Sequence, residues 1–215
     1  MSRAGRGDRG AFVAALLVGL IFFGLVALAV LVPGYWFAKA AVPKNLGVVE
    51  PGVVWRSGQV QPHLIGGLID QYRIERVINL QQPSDDAGQV AELAALEARG
   101  VEMLRFPMFG DGVGTVETYA GAVAALAESV RDGKRTLVHC TAGAQRTGGV
   151  VATYRTLVEG WTVEEALAEA ERYGWEPAED TAWPQWLDAN VRAVAERLGA
   201  GEPPAESWAA AAASR

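Results

Sequence analysis

One segment constrains this chain more than any other: Thr136–Val151, reading TLVHCTAGAQRTGGVV. A short apolar run, the pattern of a buried strand, ends at Cys140. A glycine-bearing loop follows, five residues intervene before Arg146, and an apolar helix opens at Thr147. A strand that feeds a loop into a helix N-terminus is an anion site, because successive backbone N–H groups point inward and the helix end adds positive potential. Gly143 permits a backbone conformation closed to other residues. Gly148 and Gly149 are expected to let the helix lie close to the sheet. Arg146 supplies a planar fork for two phosphate oxygens.

A cysteine in that field is expected as a thiolate, placed for in-line attack on a cradled phosphoryl group. The cradle is then Thr141, Ala142, Gly143, Ala144, Gln145 and Arg146. Its amides and Arg146 stabilise the charge that spreads over the equatorial oxygens. Thr147 donates a hydrogen bond to the sulfur as it departs. His139 and Gly148 support the loop, and Gln145 either orients the hydrolytic water or fills space. Taken alone, Cys140 reads as a structural thiol and Arg146 as a surface charge. Their joint spacing around Gly143, with Thr147-Gly148 behind, is what points to chemistry.

The rest of the chain alternates strands and helices. Strands are expected at Val48–Arg56 (two, with a turn at Pro51-Gly52), Arg76–Leu80, Val101–Phe106 and Thr136–His139. Helices are expected at Pro62–Arg73, Asp86–Arg99, Thr115–Val130, Thr147–Val158, Thr162–Tyr173 (with a Thr162/Glu165 capping box) and Pro184–Leu198. This order predicts an α/β domain with a mostly parallel central sheet flanked by helices.

His139-Cys140-x-x-Gly143-x-x-Arg146-Thr147-Gly148 resembles the signature of cysteine-dependent protein tyrosine and dual-specificity phosphatases. Val54–Gln59 (VWRSGQ), Val77–Leu80 (VINL) and the Tyr154–Ala166 region resemble further segments of the atypical dual-specificity type, so the likeness covers about residues 47–175. It implies metal-free and cofactor-free hydrolysis of phosphotyrosine, and of phosphoserine or phosphothreonine, through a phosphocysteine. The substrate is a phosphorylated protein or a small phosphoester. Relatives acting on inositol phosphates often carry Lys inside the loop, and Thr141–Gln145 has none. Gln81-Gln82 also stands where many relatives have Arg. An inositol-phosphate or phosphoinositide phosphatase, a sulfurtransferase and a non-catalytic phosphate-binding module are the competing readings.

The family also implies a carboxylic acid about thirty residues before the nucleophile, to protonate the leaving oxygen. Asp111, between Gly110 and Gly112 after a strand end, is the first candidate, against ordinary turn chemistry. Asp85 and Asp86 come next, against an N-cap role, and then Glu176 and Glu179. Arg56 and Ser57 are expected to fix the start of the domain rather than touch substrate. Trp175, Trp183 and Trp186 are expected as packing.

Residues 11–32 are 22 residues without a charge, which predicts a transmembrane helix. Arg3, Arg6 and Arg9 before it place the N-terminus in the cytoplasm and the catalytic domain outside, as a single-pass membrane protein with the bilayer as partner. The expected organisation is a basic tail (1–10), this span (11–32), an interface linker (33–46), the phosphatase domain (47–200) and a flexible tail (201–215). Of 19 basic and 25 acidic side chains, residues 1–46 hold five and one, so the remainder has 14 and 24, net −10. Such a domain has no footprint for nucleic acid. One cysteine and two histidines rule out a disulfide framework and argue against a metal centre.

Overall fold

The computed structural model describes residues 7–40 and 42–215, with side chains described at 13, 16–32 and 42–215. The chain divides into two compact units, Met1–Val42 and Pro43–Arg215. Among the described residues the first carries one helix, α1 (Gly7–Ala40). Among the described residues no helix is long and apolar enough to cross a membrane. The expectations of a transmembrane helix at 11–32, of single-pass membrane localisation and of a bilayer partner are corrected accordingly. The side chains of Arg3, Arg6 and Arg9, on which the orientation rested, lie outside the described residues, as do those of 33–41.

The second unit is built on a five-stranded sheet in the order β1-β2-β5-β3-β4. Its strands are β1 (Gly47–Glu50), β2 (Val54–Gly58), β3 (Arg76–Asn79), β4 (Glu102–Arg105) and β5 (Thr136–Cys140). Only the β1–β2 hairpin is antiparallel. The pairs β2–β5, β3–β5 and β3–β4 are parallel, as the βα alternation requires. Helices α2 (Ile65–Tyr72) and α3 (Ala87–Glu97) cover one face. Helices α4 (Val116–Asp132), α5 (Gln145–Leu157), α6 (Val163–Arg172), α7 (Ala182–Leu198) and α8 (Trp208–Ala213) pack on the other.

The period of two along the strands separates the two cores. Val77 and Leu137, paired in register, face α2 and α3, while Ile78 and Val138 face the five-helix layer. Both faces are therefore buried, which is why adjacent residues at the strand centres, Val77-Ile78 and Leu137-Val138, are all aliphatic. Capping boxes at Thr115/Thr118 and Thr162/Glu165 open α4 and α6. Residues 201–215, expected as a flexible tail, instead end in α8. Its Trp208 is fully buried, 6.1 Å from Trp183 between ring centres.

The central strand β5 ends at Cys140, beside Gly58 at the end of β2, and its His139 pairs in register with Asn79 at the end of β3. Three strand ends thus meet at one carboxyl edge, where open parallel sheets hold ligands.

Candidate active site

Cys140 is the last residue of β5 and is buried. The chain then turns through Thr141–Ala144 into α5. Gly143 makes this turn possible with φ of +75°. It also lies against β2, since a Cβ added there would stand 2.5 Å from Gly58 N. The loop folds back on the cysteine that precedes it: Gly143 N–H donates to Cys140 Sγ at 3.2 Å.

The rim is closed by hydrogen bonds. Arg146 Nη2 donates to Thr141 Oγ1 at 2.7 Å, and Gln81 Nε2 donates to the same oxygen at 3.0 Å. Gln81 also donates to Gln59 Oε1, and Gln59 in turn donates to Asp86. The glutamine at 81 therefore supports the loop's first residue. From outside, Asn45 Nδ2 donates to Ala142 O at 2.9 Å. From beneath, fully buried Arg56 donates to Gly143 O at 3.0 Å, and its guanidinium lies 4.2 Å from the centre of the Tyr173 ring. Burial lowers Arg56 to about 10, with Glu169 opposing, so it is a cation under the loop at neutral pH. Thr147 Oγ1 is buried without a protein partner among the described residues.

His139 directly precedes Cys140 in β5. Its Nε2 stands 2.8 Å from Glu92 Oε1, and Asn79 Nδ2 donates to Glu92 Oε2 at 2.8 Å. This buried set ties β5 and β3 to α3. Gly148 and Gly149 were expected to admit the sheet, and they admit helices instead. A Cβ on Gly148 would meet Ala170 of α6 at 3.5 Å, and one on Gly149 would stand 2.5 Å from the Tyr119 hydroxyl of α4.

Asp111 lies in the turn Phe109–Val113, exposed, its Oδ1 accepting from Val113 N at 3.0 Å. Gly112, at φ of +89°, sets this turn against the loop, since its added Cβ would be 3.2 Å from the carbonyl of Gln145. Tyr119 pins it by donating to Gly112 O at 2.7 Å. Burial, with Asp111 adding to it, raises the Tyr119 hydroxyl well above its ordinary range, so it stays a donor. Asp86 takes its N-cap role on α3, accepting from Gly88 N and Gln89 N. Ser84 foremost, then Gln89 N, holds its carboxyl down to about 2, where it has no proton to give near neutrality. Asp85, Glu176 and Glu179 are exposed, the last two in the turn before α7.

Asp180 was not singled out by the sequence. It accepts from Gln145 Nε2 at 2.7 Å and so brings a second carboxylate to the loop. Nothing in local spacing marks it, because the contact spans 35 residues and depends on where α6 ends. Arg56 was visible as part of VWRSGQ, but its bond to the loop follows only from the β2–β5 pairing. Among the described residues no group of His, Cys, Asp or Glu has the arrangement of a metal site.

A cysteine ending the central parallel strand, a backbone loop closing on it, and an arginine in the first turn of the next helix define a cysteine-dependent phosphatase. The sequence model of the family described as "DSP-PTPase phosphatase fused to NAD+ Kinase" matches residues 43–182, and the chain belongs to that family. It is a phosphatase of the protein tyrosine and dual-specificity class. Solved structures share its fold. TpbA of P. aeruginosa is 23% identical at a TM-score of 0.58, over 73% of this chain and 91% of that one. The catalytic core of the S. cerevisiae PP-IP phosphatase SIW14 is 18% identical at 0.55, over 73% and 94%. No curated protein sequence matches the chain.

Proposed function

We propose that this enzyme hydrolyses phosphotyrosine, and with it phosphoserine or phosphothreonine, through a phosphocysteine on Cys140. The observation that carries the reading is the Gly143 N–H donating to Cys140 Sγ at 3.2 Å inside a loop closed by Arg146. The Cys140 thiolate attacks phosphorus and the ester P–O bond breaks. Asp111 passes its proton to the leaving oxygen. Loop amides and Arg146 hold the equatorial oxygens, and Thr147 donates to the sulfur. Water then attacks phosphorus, the S–P bond breaks and Asp111 regains a proton from that water.

Support for phosphotyrosine comes from two sides. A TpbA variant, 24% identical to this chain, has been solved in complex with pTyr. Within this chain, residues 141–145 carry no cation and residues 47–215 are strongly acidic, which disfavours polyanionic substrates such as inositol polyphosphates. A panel of phosphotyrosine, phosphoserine and phosphothreonine peptides and inositol phosphates tests the preference, with the highest kcat/KM expected on phosphotyrosine. Cys140→Ser should abolish turnover of an aryl phosphate. Hydrolysis near the wild-type rate in that variant removes the mechanism.

A further inference from the structure

Asp180 is a carboxylate at the site to which neither the fold nor the loop sequence assigns a part. A carboxylate only accepts hydrogen bonds, so it takes the N–H of the Gln145 amide, at 2.7 Å. The amide oxygen, Oε1, is thereby turned away from Asp180. The arrangement is anchored on both sides. Buried Trp175 donates its Nε1 to the main-chain oxygen of Asp180 at 2.8 Å. Gln145 directly precedes Arg146, and its carbonyl lies under Gly112, next to Asp111. Three segments, the phosphate loop, the Phe109–Val113 turn and the stretch before α7, converge on this one residue, the turn on its main chain and Asp180 on its side chain.

We propose that Asp180 is a positioning residue for phosphocysteine hydrolysis, holding the Gln145 amide so that Oε1 receives the attacking water. The proposal rests on the phosphocysteine reading above. It follows from counting protons. In the first half-reaction the ester oxygen facing Asp111 has no proton to offer a carbonyl. In the second, water brings two O–H donors. One is directed to the Asp111 carboxylate, which takes the proton. The other needs an acceptor, and Gln145 Oε1 supplies one as a hydrogen-bond acceptor only. The water oxygen bonds to phosphorus, the S–P bond breaks, and sulfur leaves as the Cys140 thiolate.

The test is rapid-mixing hydrolysis of p-nitrophenyl phosphate by the full chain, with phosphate on Cys140 followed by mass spectrometry of quenched samples. Asp180→Ala should leave the initial release of p-nitrophenolate unchanged and slow the steady state about five- to tenfold, the worth of one lost hydrogen bond. Phosphocysteine should accumulate. Asp180→Glu should recover part of the loss. Because Asp180 acts through Gln145, the double variant Asp180→Ala/Gln145→Ala should be no slower than Gln145→Ala alone. Gln145→Ala also serves as the second probe of the same step if Asp180→Ala folds poorly. Losses that multiply in the double variant, equal slowing of both phases, or a loss that grows with leaving-group basicity would overturn the proposal. Normal phosphocysteine breakdown in Asp180→Ala overturns it alone, whereas no phosphocysteine in the wild type overturns the underlying reading as well.

Discussion

Gly143 and, on the proposed mechanism, Asp111 are the single residues on which the site turns. At Gly143 the backbone is left-handed, and a side chain would meet the main chain of Ser57 and Gly58 at 2.5 to 2.7 Å. Neither neighbour can yield without moving β2. Gly143→Ala should therefore displace the loop, and a displacement of about 1 Å costs on the order of 100-fold in rate. Gly160→Ala is the control: its φ is +74° but open space surrounds it, so kcat/KM should stay at the wild-type value. Steady-state kinetics on an aryl phosphate compares the two. Asp111→Asn, on the proposed mechanism, should slow alkyl phosphates by about 10²- to 10⁴-fold and p-nitrophenyl phosphate far less, since a good leaving group needs little protonation. Equal loss on both would move the acid elsewhere. At this scale the loop was legible because its pattern is local, with Cys140, Gly143 and Arg146 falling within seven consecutive residues. Asp180 and Arg56 were not, because their contacts with the loop are made by tertiary packing.

Helix ends explain which elements could be read. Asp86 caps α3, and Thr115 and Thr162 cap α4 and α6 with side-chain oxygens, so those starts were visible in sequence. Helix α5 begins two residues before the expected Thr147, because its N-cap, Ala144, offers no side-chain bond and leaves no signal. The Asp86 cap gives a prediction in pH. Its folded value, about 2, lies below the ordinary 3.8, so its stabilisation is present above 3.8 and is lost as pH falls towards 2. Asp86→Ala should cost about 1 kcal/mol by urea denaturation at pH 7, and the gap from wild type should close near pH 2. A gap that stays constant with pH would show that the cap acts without its charge.

Across the whole molecule, the proposed site sits where the parallel strands β2, β3 and β5 end together, and the helical layer behind α5 holds that edge in place. Tyr119 of α4, Trp183 of α7 and Ala170 of α6 press on the glycines of α5, and α8 closes the layer with Trp208. The α/β order was readable from alternating periods. The end of the chain was not, because a Pro- and Ala-rich segment reads as solvent until Trp175, Trp183 and Trp208 are seen packed in sequence, one ring against the next. Trp208→Ala should cost about 3–5 kcal/mol in denaturant unfolding, with kcat unchanged while the protein stays folded. A cost below about 1 kcal/mol would mean that α8 adds nothing to the core.

The central claim is a covalent bond between phosphorus and one sulfur, and it can be observed directly. Enzyme mixed with an aryl phosphate, quenched in acid within the first turnover and digested, should give one phosphorylated peptide, carrying its phosphate on Cys140, with none in Cys140→Ser. Turnover that proceeds while Cys140 stays unmodified, or phosphate found on another residue, would contradict the account.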